Sequence, residues 1–180
     1  MANVSLVGFG RIGRDLFRQT LGDTDINIVS ISDTADKANL IYLLKYDSIY
    51  GKLDAEIEES ETGIVVNGKE IIFNSWKNGD EANWDELNTD IVVLATGRPK
   101  TKEEVDKHLS KGCKKVIVAS TPENFEDIQK ITGLERGELV SILKDLEDRR
   151  LIKVEEKSGL FSHKVELYIT DKGLKKILTS

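Results

Sequence analysis

The sequence contains few residues of several types, and each shortage excludes a class of protein or site. A single cysteine, Cys113, excludes an intrachain disulfide and a cysteine-based zinc site, and it is typical of a reducing compartment. Two prolines among 180 residues exclude a proline-rich disordered segment. No apolar run approaches the roughly 20 residues of a membrane span, and the N-terminus has no signal-peptide core. We therefore expect a globular, cytoplasmic protein with no membrane partner.

Positive charge and metal-ligating residues are also scarce. The chain has 26 Lys and Arg against 32 Asp and Glu, a net charge of -6, so it does not favour polyanions as a whole. Nucleic-acid binding would have to depend on a local basic patch. His108 and His163 have no companions at ligand spacing, so we expect both to be solvated surface histidines and predict no metal site.

The most informative stretch present is a glycine-rich turn near the N-terminus. Residues 4–7 have the Val and Leu content of a buried parallel strand, and residues 11–21 have helical periodicity. Between them Gly8, Gly10 and Gly13 form GxGxxG, in which the glycines allow a tight turn, close approach of a pyrophosphate and close helix packing. The motif alone is weak evidence, because an ordinary glycine-containing loop has the same pattern.

A carboxylate twenty residues beyond Gly13 strengthens the dinucleotide interpretation. Residues 26–32 form a second apolar strand, which ends at Asp33. A carboxylate there accepts hydrogen bonds from ribose hydroxyls and repels a 2′-phosphate, so the pair of motifs predicts NAD rather than NADP. The alternative for Asp33 is a helix cap or a turn residue.

Later strands predict where the rest of the site lies. Residues 91–95 and 114–119 are apolar strands that lead into Thr96, Gly97 and Ser120, and ligands of open parallel sheets bind at this carboxyl edge. Asn67 and Gly68 separate two short apolar runs, as in a type I′ hairpin. Strands and helices alternate through residue 121, which predicts a doubly wound, Rossmann-type α/β domain over residues 1–121.

Several motifs of residues 3–121 together resemble the NAD-binding half of phosphorylating glyceraldehyde-3-phosphate dehydrogenase. The motifs that carry the resemblance are residues 8–14, Asp33, residues 43–48 with Gly51, residues 66–69, residues 96–97 and residues 112–116. The resemblance implies that Gly8, Phe9, Gly10, Arg11 and Ile12 line the pyrophosphate. It also implies that Asp33 holds the adenosine ribose, and that Lys77, Thr96, Gly97 and Ser120 surround the adenine and the neighbouring phosphates.

The same resemblance leads us to expect no catalytic residue in this chain. It implies that the catalytic cysteine and its activating histidine belong to a second half, which would begin just after Ser120. Cys113 precedes the predicted strand at residues 114–119, and no histidine is placed by the sequence to lower the pKa of its thiol. We therefore expect the chain not to be an enzyme.

Residues 122–180 have a different pattern and predict a second domain. Helices over residues 122–132 and 135–150 meet at Gly133, and two strands follow around a hairpin tip at residues 157–162 before a last helix at 170–178. This order resembles the winged helix of small prokaryotic transcription regulators. The predicted fold class is therefore a doubly wound Rossmann-type sheet followed by a small α+β winged helix-turn-helix domain.

The winged-helix resemblance implies a recognition helix that presents Arg136, Ser141 and Lys144 to DNA. Positive charge also clusters around the expected wing, at Arg149, Arg150, Lys153, Lys157 and Lys164. Against DNA as a partner, residues 121–180 carry 11 Lys and Arg and 12 Asp and Glu. The alternative is a winged helix that contacts protein.

The function that joins the two domains in this interpretation is an NAD(H)-responsive, DNA-binding transcription regulator. Apolar surface that the enzyme family covers with its second half would be exposed here, so we expect a homodimer. Two alternatives remain open: a nucleotide-binding adaptor for a protein partner, and a dehydrogenase subunit whose chemistry depends on a partner chain.

Overall fold

The computed structural model describes residues 1–76, 81–97, 101–119, 125–159, 162–170, 172–173 and 176, with the backbone alone at 125–127, 154–159 and 162–169. Lys77 and Ser120 are outside the described residues. The chain divides into two compact units, Met1–Arg98 with Asp106–Ser120 and Pro99–Val105 with Thr121–Ser180. Each unit is described separately below.

A seven-stranded sheet forms the first unit. Its strands are β1 (Ala2–Val7), β2 (Ile26–Ser32), β5 (Ile57–Glu59), β6 (Gly63–Val66), β7 (Lys69–Asn74), β8 (Ile91–Leu94) and β9 (Lys115–Val118). A small separate ribbon contains β3 (Tyr46–Asp47) and β4 (Gly51–Lys52), and the helices are α1 (Arg11–Thr20) and α2 (Lys37–Lys45). A third helix, α3 (Lys102–Ser110), belongs to this unit from Asp106 onward. The strand order β5-β6-β7-β2-β1-β8-β9 places β1 at the centre of the parallel part.

The parallel strands are apolar because elements on both faces of such a sheet exclude water. β8 is buried at all four positions, and β1 buries Val4 and Leu6. Parallel pairing joins β7 to β2, β2 to β1, β1 to β8 and β8 to β9, whereas β5, β6 and β7 are antiparallel. The sheet is thus a mixed α/β sheet with a parallel-rich centre, consistent with a Rossmann fold.

A tight turn joins β6 to β7, as the sequence predicts. Asn67 has φ of 50° and Gly68 has φ of 79°, and Val66 pairs with Lys69. Positive φ at both central residues is the requirement of a type I′ turn. The hairpin prediction is therefore confirmed.

In its described residues after 121, the second unit contains the helices α4 (Phe125–Thr132) and α5 (Arg136–Asp148) and a hairpin of β10 (Ile152–Gly159) and β11 (Ser162–Ile169). Leu139 of α5 and Leu151 before β10 are its buried apolar residues within the described part of the chain. The hairpin tip predicted at residues 157–162 is too long, because antiparallel pairing continues to Gly159 and Ser162. Of the last predicted helix, residues 170–178, the structure describes residues 170, 172, 173 and 176: Thr170 is not helical, and the other three are.

No helix within the described residues combines the length and apolar composition that crossing a bilayer requires. Across the same part of the chain, no group of three or more His, Cys, Asp or Glu side chains is arranged to hold a metal ion.

Candidate functional site

The candidate site lies at the carboxyl edge of the parallel strands, where the strand order reverses. β1 pairs on one side with β2 and on the other with β8. In open α/β sheets the crevice at such a reversal is where ligands bind, because the following loops separate there. The glycine turn after β1 and the loop after β8 therefore form the two sides of this site.

Gly8 and Gly13 are required by close approaches of the backbone. Gly8 has φ of 94°, and a Cβ at this position would lie 2.6 Å from the carbonyl carbon of Ala95 and 2.8 Å from the amide of Thr96. A Cβ at Gly13 would overlap the carbonyl oxygen of Gly8. The turn thus fits directly against the end of β8, and α1 fits directly against the turn.

Gly10 differs from the other two glycines because the space beside it is open. It is the N-cap of α1 in an extended conformation, with φ of -69°, and an added Cβ would meet no atom of the described residues within 4 Å. No side chain caps this helix end, and the first N–H groups of an α-helix have no intrahelical acceptor. Open space in front of unsatisfied N–H groups and a positive helix end fits a dinucleotide pyrophosphate.

Asp33 is hydrogen-bonded to the glycine turn. Its Oδ2 accepts from the Phe9 amide at 2.6 Å, and its Oδ1 accepts from the Ala35 amide at 2.9 Å. Its own amide donates to the Asn74 carbonyl at 3.0 Å, which fixes the end of β2 against β7. Since a carboxylate offers about four acceptor positions, Asp33 can accept two further hydrogen bonds from ribose hydroxyls.

Phe9 can contribute only its backbone to the pyrophosphate site. Its side chain is buried, and its ring packs edge-to-face on Phe17 with 5.8 Å between centroids. Its N–H is already donated to Asp33. Arg11 and Ile12, by contrast, are exposed beside the turn, as are Thr96 and Gly97 after β8.

The structure thus brings Gly8, Asp33, Thr96 and Gly97 to one edge, although their role as ligand-binding residues stays a prediction. Lys77 and Ser120 are outside the described residues. Sequence reasoning missed one residue that contacts the turn. This is Arg14 of α1, whose Nη1 donates to the Phe9 carbonyl at 2.8 Å. The signal was present, since the resemblance extends through residue 14, but an arginine one turn into a helix reads as a surface charge.

His108 is not the surface histidine that the sequence predicts. It is buried, and its ring stacks on Trp84 with 5.7 Å between centroids and an interplanar angle of 27°. The error arose because α3 is rich in charge, so its inward face had no apolar pattern to reveal it. The side chain of His163 is outside the described part of the chain.

Cys113 lies beside His108 in the interior. Its thiol donates to the His108 carbonyl at 3.2 Å, and burial raises the pKa of the Cys113 thiol to about 11. A high pKa keeps the sulfur protonated at neutral pH, and the protonated form is a poor nucleophile. This thiol therefore lacks the properties of a catalytic cysteine.

The residues predicted to bind DNA are exposed wherever the structure describes their side chains. This applies to Arg136, Ser141, Lys144, Arg149, Arg150 and Lys153. Arg149 also pairs with Asp145 at 2.9 Å, four residues earlier on α5. The side chains of Lys157 and Lys164 are outside the described part. Exposure alone does not distinguish a DNA contact from an ordinary solvated face.

Comparison with known proteins identifies the first unit independently. The family described as "Glyceraldehyde 3-phosphate dehydrogenase, NAD binding domain" matches residues 2–102, which is more than half of the chain. Glyceraldehyde-3-phosphate dehydrogenase of Geobacillus stearothermophilus is 46% identical over 131 residues, covering 73% of this chain and 39% of the relative. The enzyme of Heyndrickxia coagulans is 46% identical over 132 residues, with the same coverage of both chains.

A further relative has the same coverage at lower identity. Glyceraldehyde-3-phosphate dehydrogenase 1 of Bacillus subtilis (strain 168) is 40% identical over 131 residues, which is 73% of this chain and 39% of the relative. The chain therefore matches about two fifths of the length of these curated relatives.

These relatives correct two predictions made from the sequence. The prediction of a DNA-binding transcription regulator is wrong, because the relatives at 40–46% identity carry the name of a dehydrogenase and none of the comparisons points to a regulator. The prediction that the chain is not an enzyme conflicts with the same names. The first error came from the helix and hairpin pattern of residues 122–180, which the family match at residues 2–102 does not include. The second came from the lack of an activated cysteine and a partner histidine in the sequence.

The cofactor prediction is confirmed, since the matching family is an NAD-binding domain. The open helix end at Gly10 and the carboxylate of Asp33 are groups of the two kinds that a dinucleotide site uses, and their binding role stays a prediction. Geometry, motif spacing and sequence identity over the first unit agree: the chain belongs to the family of glyceraldehyde 3-phosphate dehydrogenase NAD binding domains.

Proposed function

We propose that this chain is the NAD-binding part of a glyceraldehyde-3-phosphate dehydrogenase-type oxidoreductase. The observation that carries the proposal is the pairing of the open glycine turn with Asp33 through the Phe9 amide. The turn holds the pyrophosphate, and the carboxylate holds the adenosine ribose. When bound, NAD would supply the hydride acceptor, while the residues of this chain bind and orient it.

Cys113 supports a division of labour in which other residues carry out the aldehyde chemistry. It is the single cysteine of these 180 residues, and it is buried with a raised pKa. A thiolate nucleophile would therefore come from outside residues 1–180, either from a partner chain or from another part of a longer chain. In this proposal, residues 1–180 hold the cofactor against the residues that supply the thiolate.

The other residues expected at the cofactor site are given the following roles in the proposal. Gly8 and Gly13 shape the turn, the N–H groups of Arg11 and Ile12 face the phosphates, and Thr96 and Gly97 form the opposite side. Lys77 and Ser120 are included on the family resemblance alone.

Residues 122–180 are proposed to form a distinct winged-helix-like domain, with a boundary from the NAD-binding domain at residue 121. Support comes from the order α4, Gly133 turn, α5 and hairpin β10–β11, and from the pairing of Ile152 with Ile169 through Gly159 with Ser162. Cytoplasmic location is proposed on the single buried, reduced cysteine.

The direct test of the cofactor proposal is a substitution at Gly10. Gly10→Ala meets no protein atom and has an allowed φ, so the fold tolerates it, but the methyl group occupies the space of the pyrophosphate. We expect NAD affinity, measured by isothermal titration calorimetry, to fall at least about tenfold. Gly137→Ala is the matched control, since this glycine also has open space and lies in α5.

The proposal fails if wild-type protein does not bind NAD at millimolar concentration, or if Gly10→Ala binds it as tightly as Gly137→Ala does. The oxidoreductase role has a separate test. Full-length chain is mixed with NAD, glyceraldehyde 3-phosphate and phosphate, with and without extract of the source cells. NADH formation that rises on adding wild-type chain, but not Gly10→Ala, is the expected result.

A further inference from the structure

Phe9 is held in position by two side chains. Its N–H donates to Asp33 Oδ2 at 2.6 Å, and its C=O accepts from Arg14 Nη1 at 2.8 Å. Its ring is buried against Phe17. The Gly8 amide also donates to the Ser32 carbonyl at 2.8 Å, which anchors the start of the turn, so the contacts of Phe9 orient the two peptides on either side of it.

The orientation of the Asp33 carboxylate depends on the Phe9 amide. One carboxylate oxygen accepts from Ala35 two residues later, which is a local contact, whereas the other accepts from Phe9 across the sheet edge. If the Gly8–Phe9 peptide, which carries this N–H, rotated, the carboxylate would keep its local hydrogen bond but lose the cross-strand one. Its remaining acceptor positions would then no longer face a fixed direction.

Arg14 restrains that rotation through the next peptide. It holds the Phe9 carbonyl, which belongs to the Phe9–Gly10 peptide, and the buried ring fixes the Phe9 Cα, so the backbone angles that direct the Phe9 N–H are limited. The backbone amide of Arg14 donates to the Gly10 carbonyl at 3.0 Å as part of α1, so its side chain extends from a rigid element.

We propose that Arg14 is a positioning residue for recognition of the adenosine ribose, acting through the Phe9 backbone on the carboxylate of Asp33. The inference rests on the proposed function, since it assumes that Asp33 contacts the ribose. Arg14 does not touch the ligand. It fixes the direction of the hydrogen bonds by which Asp33 distinguishes a ribose with a 2′-hydroxyl from one without.

The test compares ADP with 2′-deoxy-ADP, both measured by calorimetry on the full chain. Both ligands carry the diphosphate and the adenine, and they differ only in the hydroxyl that Asp33 would recognise. We expect wild type to bind ADP about tenfold more tightly than 2′-deoxy-ADP, since a hydrogen bond to a charged group contributes strongly. Arg14→Ala should reduce this ratio to about twofold, largely through weaker ADP binding.

Four further variants separate positioning from other roles. Gln19→Ala removes an exposed polar side chain of the same helix and should retain the wild-type ratio. Asp33→Asn should lower the ratio by itself, and adding Arg14→Ala to it should produce no further change. Arg14→Lys keeps the charge with a single donor group, so its ratio should lie between those of wild type and Arg14→Ala. It also serves as the test if Arg14→Ala does not fold.

The outcomes are distinguishable. An unchanged ratio in Arg14→Ala and Arg14→Lys overturns the inference and leaves the proposed function intact. An equal loss of affinity for both ligands also overturns it, since that pattern indicates attraction of the phosphates by the guanidinium or a general loss of structure. Failure of the wild type to bind either nucleotide contradicts the proposed function itself.

Discussion

Gly8 is subject to two requirements that no other residue type satisfies together. Its φ of 94° is in the region that side chains avoid, and the end of β8 occupies the space where a Cβ would lie. A glycine at this position is therefore required by the fold itself. Gly10 has an allowed φ and open surroundings within the described residues, so in the proposed function its role is toward the ligand alone.

This contrast predicts opposite effects of the same substitution. Gly8→Ala should lower the free energy of unfolding by more than about 2 kcal/mol, through backbone strain and the overlap with Ala95. Gly10→Ala should change it by less than about 0.5 kcal/mol. Urea denaturation followed by circular dichroism measures both values, and equal stability of the two variants would contradict the assignment.

Cys113 provides a prediction of pH dependence. Burial raises the thiol pKa to about 11 from 9.0, so the folded state holds the proton more tightly than the unfolded state does. Below pH 9 both states are protonated and the cysteine has no effect on stability; between about pH 9 and 11 the unfolded chain ionises first and stability falls.

Alkylation by iodoacetamide measures this shift directly. We expect the native thiol to react slowly at pH 8, with a rate that rises towards pH 11, and the denatured thiol to react with a midpoint near pH 9. Rapid labelling of native protein at pH 8 would show that Cys113 is accessible and ionised.

At the scale of single elements, the hairpin between β6 and β7 depends on Asn67. Besides its positive φ, this residue accepts a hydrogen bond at Oδ1 from the Glu56 amide at 2.9 Å and donates its own amide to the Glu56 carbonyl at 2.8 Å. The turn is thus tied to the chain that enters β5, which is the edge strand of the sheet.

Asn67→Gly and Asn67→Ala separate these contributions. Glycine tolerates the φ but loses the side-chain hydrogen bond, so we expect a loss of about 1 kcal/mol. Alanine loses the hydrogen bond and is also strained, so we expect a loss of about 2 kcal/mol. Thermal melts of both variants test this order, and a greater stability of Asn67→Ala would contradict it.

Some elements could be predicted from the sequence because their signals are local. The glycine spacing, Asp33 after β2 and Asn67-Gly68 each specify a backbone geometry within a few residues. The hairpin tip in the second unit was misplaced, since Lys157 and Ser158 are polar and read as a turn while ladder pairing continues through them. Burial of His108 and the Arg14 contact depend on how elements face each other, which no local pattern encodes.

For the whole chain, the predicted function failed for a different reason. The regulator hypothesis rested on the helix and hairpin order of residues 122–180, and the expectation of no enzyme activity rested on the lack of a catalytic cysteine and histidine in the sequence. Neither observation determines what an NAD-binding domain works with. The helix and hairpin pattern of residues 122–180 is common to modules with many roles, so it could not determine one.

The homodimer expected from the sequence stays a prediction at this scale. Tyr42, Tyr46, Ile49 and Tyr50 are 48–72% exposed around α2 and the β3–β4 ribbon, a concentration of apolar surface typical of interfaces. Sedimentation equilibrium should give twice the chain mass of 20.1 kDa, and Ile49→Lys should shift the protein towards monomer. A monomeric wild type at tens of micromolar would contradict the prediction.

The central position of β1 also affects how the chain folds. Its neighbour β8 lies far along the chain, with Val4 opposite Ile91. During synthesis the first strand therefore emerges long before one of its two partners, and its β8 side has no native pairing until residues 91–94 have been made. Pairing over such a separation slows folding and leaves an apolar strand edge open to misassociation. Nascent chains stopped before residue 91 should accordingly depend on chaperones, whereas those extended past 118 should not.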